Sequence, residues 1–141
     1  MIFWDSSAIV PLIVEEAASR QVRSLPDATR IVWWGTRIEC VSAACRLERE
    51  GELTPSQTQK ILADMARVLD QSIEVQPVEV LRERAERLLR VHPLRAADAL
   101  QLAAALISCD ENPRDVGFVC LDERLRTAAS AEGFSVLPET L

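Results

Sequence analysis

At 141 residues, 48% apolar and 27% charged, the chain has the size and balance of one globular domain able to hold a core without disulfides or structural metal. Four cysteines (Cys40, Cys45, Cys109, Cys120) form no C-x-x-C pair and sit in apolar segments, as expected of reduced core thiols in a cytoplasmic protein. One histidine, no tyrosine, four glycines and a net charge of −6 exclude two-imidazole or tyrosine chemistry, glycine-rich phosphate loops and binding of nucleic acid through a broad basic face.

In chain order, short β-rich runs alternate with longer helical patterns. Strands are predicted at Ile2–Trp4, Ile31–Trp33, Ile73–Val75, Phe118–Leu121 and Phe134–Leu137. Helices are predicted near Ser7–Ile13, Glu16–Ser24, Thr36–Arg49, Pro55–Asp70, Val78–Arg90, Arg95–Ser108 and Glu123–Ala131. In the fifth helix Val78, Leu81, Ala85, Leu88 and Leu89 read as one buried stripe, with the charge run around them solvated. The longest apolar run, Ala8 to Val14, is far short of the roughly 18 residues of a membrane span. The start of the chain, with no basic residues ahead of an apolar stretch, is not expected to act as a signal peptide. This alternation predicts an α/β domain on a parallel sheet covered on both faces. Ligands of such sheets collect outside the carboxyl ends of the strands, so the residues just after each strand are the ones to read.

Four carboxylates stand there. Asp5 and Asp122 directly follow predicted strands, and Glu39 and Asp98 lie in the first turns of helices. Each also has a local explanation: Asp5 and Asp122 as helix N-caps, Thr36 to Glu39 as a capping box, and Asp98 as an acid at a positive helix end. Together the local explanations weaken, because four acids in one cleft repel one another and raise their pKa values. A hard cation such as Mg²⁺ or Mn²⁺ relieves that repulsion, and no His or Cys cluster competes for it. The small neighbours of Glu39 on its helix (Gly35, Thr36, Ser42, Ala43) leave space for an ion. Without the four acids the balance is 16 basic against 18 acidic, so most of the net charge is concentrated in this one set.

With these residues in place, the sequence resembles the PIN-domain ribonucleases. Asp5-Ser6-Ser7-Ala8-Ile9-Val10 looks like their opening, and Glu39 stands where they carry a helical glutamate. Ala97 to Ala103 resembles their third acidic motif and Val119-Cys120-Leu121-Asp122 their fourth, with Cys120 where the family commonly has Ser or Thr. The match runs through the whole chain, and its size resembles the VapC-type toxins of prokaryotic toxin–antitoxin pairs. The resemblance implies a single three-layer α/β/α domain over residues 1–141, with a mainly parallel sheet of four to five strands. It also implies Mg²⁺- or Mn²⁺-dependent endonucleolytic cleavage of RNA, a cognate antitoxin and a homodimer. On this reading Asp5 and Asp98 are the principal metal ligands, Glu39 orients the attacking water, and Asp122 completes the shell or holds a second ion. The rival reading is a non-catalytic module of the same fold whose acidic cleft docks an arginine-bearing partner.

Other residues have two readings each. Arg95, one turn before Asp98, is placed to meet a phosphate or to support its own helix; Ser6 donates into the site or caps locally. Arg37 and Arg46 join Arg95 as arginines able to hold RNA near the acids. Adjacent Trp33 and Trp34 are expected to be buried on opposite faces, in preference to stacking on bases. His92 is expected at the surface or at a cap, and Ile61, Leu62, Met65 and Leu69 in the core or a dimer face. A phosphatase of the Asp-x-Asp type is excluded by Ser7, and a phospho-receiver domain by the mid-chain position of the only lysine, Lys60.

Overall fold

Wherever the chain is extended, its apolar residues point alternately to two sides, and that alternation builds the core. In the computed structural model, which describes residues 1–141, β1 (Ile2–Trp4) sends Phe3 to one face and Ile2 and Trp4 to the other. β2 (Arg30–Trp33) sets Ile31 and Trp33 against Val32, and β4 (Gly117–Val119) sets Phe118 against Val119. β3 (Ile73–Val75) and β5 (Ser135–Leu137) form the edges. The order is β3-β2-β1-β4-β5 and every pairing is parallel.

Helices cover both faces, giving the three layers expected. On one side α1 (Ser6–Ile13), α2 (Ser19–Arg23), α3 (Thr36–Arg49) and α4 (Pro55–Asp70) bury Ile9, Val10, Val22, Cys40, Ala44, Met65 and Leu69 against the sheet. On the other, α5 (Glu79–Val91), α6 (Ala96–Ser108) and α7 (Glu123–Glu132) bury Leu81, Leu88, Leu102 and Leu125 around stacked Phe3 and Phe118, ring centres 5.4 Å apart. The chain winds outward from β1 through β2 to β3, then returns over the opposite face to β4, beside β1. Neighbouring β1 and β4 therefore send their connections in opposite directions, which opens a crevice at their carboxyl ends.

Several expectations are corrected. The second helix is only Ser19–Arg23, because the Ser19 hydroxyl accepts from the Glu16 amide and donates to the Val14 carbonyl, fixing a turn where a helix was expected to begin. The fourth strand ends at Val119, two residues early, since Cys120 and Leu121 already serve the crevice. Trp33 is buried, but Trp34 is 50% exposed: β2 has ended, and Trp34 sits in the turn into α3. Gly35 is required there, since a Cβ would lie 2.5 Å from the Trp33 indole nitrogen. Val78 and Leu89 are exposed at the margin of the α5 stripe, leaving Leu81, Ala85 and Leu88 to pack. Cys40 and Cys120 are buried free thiols, whereas Cys45 and Cys109 are only half-buried. His92 follows α5, but its ring Nε2 lies 2.7 Å from Glu132 of α7 and it is largely covered. Met65 and Leu69 are core, with Ile61 and Leu62 packed at its margin. No helix is long and apolar enough to cross a membrane.

Candidate active site at the carboxyl edge of the sheet

Asp5 is the first residue beyond β1, and its backbone amide bonds the Val119 carbonyl of β4 at 2.9 Å, which seats it in the crevice. It is 3% exposed. Its Oδ2 accepts from the Ser7 amide at 3.1 Å and the Ser7 hydroxyl at 2.5 Å, so Asp5 does cap α1. The Ser7 hydroxyl in turn accepts from the Leu121 amide at 3.0 Å, tying the exit of β4 to Asp5. Burial, with the charges of Glu39 and Asp98 adding to it, pushes the Asp5 carboxyl up to about 6 despite the Ser7 bonds.

Asp122 follows β4 and caps α7 by accepting from the Leu125 amide at 3.0 Å through Oδ1. For these two acids the capping role and the cleft position coexist, because one carboxylate oxygen caps and the other remains. Asp98, in the first turn of α6, is half-buried. Burial and then the Asp122 charge raise its pKa, against contributions from Arg95 and Arg124.

Glu39 departs from its local explanation. The residue before α3 is Gly35, and no side chain caps that helix. The Glu39 Oε2 instead accepts from the Ser6 hydroxyl at 2.5 Å and from the Gln101 amide at 3.1 Å, across 33 and 62 residues of sequence. Thr36, the other half of the expected capping box, is buried and accepts from the same Gln101 amide at 3.0 Å. Ser6 likewise bonds across the cleft and is no local cap.

All four acids border one cleft of about 610 Å³, together with Ser6, Ser7, Glu16, Ser42, Ala43, Arg46 and Arg95. Arg37 does not; it pairs with exposed Asp70 at 2.6 Å. Trp34 is also absent from the lining. The expected space beside Glu39 is lined by Ser42 and Ala43, whereas Gly35 and Thr36 lie off it. Gln101 and Glu16 were not foreseen. Gln101 lies inside the third acidic motif, three residues after Asp98, and that helical spacing is the signal that places it on the same face. Glu16 has no such signal.

Cys120 lies between two of the acids. Its Sγ is 3.6 Å from Asp5 Oδ2 and accepts from the Asp122 amide at 3.3 Å. Burial, reinforced by the Asp5 charge, raises the thiol well above its ordinary range, so it is a neutral weak donor beside Asp5.

The donor chemistry of the cleft fits a hard divalent cation: carboxylates and hydroxyls line it, with neither imidazole nor a free thiolate. The acids flank the cleft without three of them converging on one point. Mg²⁺ and Mn²⁺ keep much of their water shell and need only one or two direct carboxylates.

A parallel, doubly wound sheet with acids gathered at its switch point defines the class: an α/β domain with an acidic cleft at its carboxyl edge. Its solved neighbours agree. FitAcB from Neisseria gonorrhoeae superposes over all of both chains with a TM-score of 0.65 at 14% identity. A toxin–antitoxin complex from Klebsiella pneumoniae matches 86% of this chain and 87% of its own with a TM-score of 0.63, also at 14% identity. PAE2754 from Pyrobaculum aerophilum matches 98% and 90% with a TM-score of 0.63 at 15% identity. No family model matches the chain. Over its full length, however, it is 32% identical to ribonuclease VapC45 of Mycobacterium tuberculosis strain CDC 1551 and to ribonuclease VapC49 of strain H37Rv, covering 97% of each. The chain belongs to the VapC-type PIN-domain ribonucleases.

Proposed function

We propose that this chain is a cytoplasmic, Mg²⁺- or Mn²⁺-dependent endoribonuclease, the toxin of a toxin–antitoxin pair that cuts folded RNA at selected single-stranded positions. The observation that carries the reading is Glu39: an acid freed from capping its own helix and held by Ser6 and Gln101 at a cleft shared with Asp5, Asp98 and Asp122. Its relatives, ribonucleases VapC45 and VapC49, support RNA as the substrate. The toxin–antitoxin complex among its fold neighbours supports an antitoxin as partner, and the family resemblance adds a homodimer.

Asp5 and Asp98 are the residues that would hold the cation, with Glu39 and Asp122 beside them. When bound, a divalent ion neutralises charge on the scissile phosphate and makes water a better nucleophile at neutral pH. The chain's own groups do the rest. Glu39, with Oε2 saturated by its two donors, keeps Oε1 for orienting the attacking water and accepting its proton. Arg46 of α3 and Arg95, the residue before α6, border the cleft and offer guanidinium groups to the phosphates next to the cut.

Cleavage of a structured RNA is expected with Mg²⁺ or Mn²⁺, to stop with chelator, and to be lost in Asp98→Asn. Independently of activity, Mn²⁺ raises the melting temperature of the wild type by mass action and that of Asp98→Asn much less. Equal shifts in both proteins, or undiminished cleavage in chelator, would refute the metal-dependent site.

A further inference from the structure

Outside the four acids, the buried polar residue that touches the site is Gln101. It is fully covered, on the inward face of α6 one turn below Asp98. Its Nε2 donates to Glu39 Oε2 at 3.1 Å and to Thr36 Oγ1 at 3.0 Å, while its Oε1 is buried with no hydrogen-bond partner. Two i, i+3 pairs thus face each other, Thr36 with Glu39 on α3 and Asp98 with Gln101 on α6.

The amide orientation is forced by chemistry. A glutamate carboxylate only accepts, so the amide nitrogen must turn toward it and the amide oxygen away. The oxygen is then left in the core without a donor, which is unfavourable; an apolar side chain of the same shape avoids that deficit. Packing alone therefore does not account for a glutamine here. What the glutamine adds is a donor to the underside of Glu39. Ser6 of α1 donates to the same oxygen, so the carboxylate is fixed from both helical layers of the fold.

We propose that Gln101 is a positioning residue for RNA cleavage: its amide holds Glu39 in one rotamer, with Oε2 tied down and Oε1 presented to the cleft. This rests on the nuclease reading above and gives Glu39 its orientation from a residue that does not line the cleft. The same amide braces Thr36, so Gln101 also fixes the first turn of α3, on which Glu39 stands.

The test uses the full chain and Gln101→Met, which keeps side-chain length and removes both donors, with Gln101→Leu as a second variant. With Mn²⁺ and a structured RNA, kcat is expected to fall roughly 10- to 100-fold with KM within about twofold of wild type, the scale of loss when a supporting hydrogen bond to a site carboxylate is removed. The melting temperature is expected to change little, because the relief of the unpaired Oε1 is offset by the donor that Thr36 and Glu39 lose. On a Glu39→Ala background, adding Gln101→Met is expected to change the residual rate by less than about twofold, since the group it positions is gone. By NMR, the Gln101 side-chain amide protons are expected to move upfield in Glu39→Ala. Wild-type kcat in both Gln101 variants, an equal proportional loss on both backgrounds, or amide resonances indifferent to Glu39→Ala would each overturn the proposal. A wild type that cleaves no RNA with metal refutes the nuclease reading instead, and the NMR arm still decides whether Gln101 holds Glu39.

Discussion

Asp5 shows how far a single residue's stability and its use diverge. Its carboxyl sits at about 6 because burial, then Glu39 and Asp98, oppose its charge. A carboxyl raised above its unfolded value binds its proton more readily in the folded state. Its contribution to stability is therefore fully present below the unfolded pKa near 3.8 and lost as pH rises to and through about 6. At neutral pH the metal-free protein carries a penalty of up to about 3 kcal/mol at this residue, from the roughly 1.4 kcal/mol per pKa unit that linkage gives. Asp5→Asn, whose amide oxygen still accepts from Ser7, is expected to melt several degrees above wild type at pH 7 without metal. The gap should close toward pH 4, and the variant should not cleave RNA. A variant that melts lower at every pH would remove burial of charge as the explanation. The four acids were legible because each follows a strand or opens a helix. The hydrogen-bond partners of Glu39 were not, since Ser6 and Gln101 reach it only once α1, α3 and α6 have packed.

At the level of elements, apolar periodicity located every strand and helix, and it failed where polar side chains set the boundary. Ser19 cut α2 short, and Trp34, one residue beyond the strand, stands in the turn into α3 and is released to solvent. The join between α5 and α7 was invisible for the same reason. His92, after α5, and Arg87, within it, both reach Glu132 at the end of α7, at 2.7 and 2.6 Å. His92 Nε2 must be the donor there, because the carboxylate only accepts. This tether also anchors the segment that leads from α5 to Arg95 and Asp98. Burial works to raise Glu132, but the hydrogen bonds from Arg87 and His92 outweigh it and hold the carboxyl below its ordinary range. A depressed carboxyl stabilises the fold above its unfolded pKa and loses that contribution as pH falls through the folded one. Glu132→Gln is thus expected to lower the melting temperature by a few degrees at pH 7 and by progressively less in acid. A deficit that persists undiminished at pH 3 would show the loss to be packing alone. As a contrast within the other layer, Thr54 and Gln57 form a reciprocal capping box at the start of α4, outside the cleft lining. Thr54→Ala should cost about 1 kcal/mol of stability and leave cleavage unchanged; an activity loss at matched stability would link α4 to the site.

Over the whole molecule, charge decides what kind of nuclease this fold supports. The chain carries 16 basic against 22 acidic residues. Much of the basic charge is already engaged: Arg23 with Glu15, Arg37 with Asp70, Arg67 with Asp64, Arg82 with Glu79, Arg84 with Glu111 and Arg87 with Glu132. Arg126 donates to the carbonyls of Cys120 and Pro138, and Arg30 lies over the Trp4 ring. Arg46 and Arg95 are the arginines that border the acidic cleft. No basic groove follows from such a layout, so affinity for RNA rests on a few contacts close to the cut. For single strands the logarithm of affinity falls with the logarithm of salt at roughly −0.7 per phosphate neutralised, which predicts a slope of about −1.4 for two arginines. Arg46→Ala combined with Arg95→Ala should flatten that slope and raise KM more than it lowers kcat. Weak attraction of this kind cannot hold random RNA, and in-line attack needs a splayed nucleotide, which loops allow and A-form helices resist. Mapping the new 5′ ends after incubation of total RNA with the metal-loaded protein should therefore reveal few cuts, in the loops of folded RNAs. A salt slope steeper than about −4, or even fragmentation of homopolymers and duplexes alike, would mean that a binding surface beyond these two arginines governs the reaction.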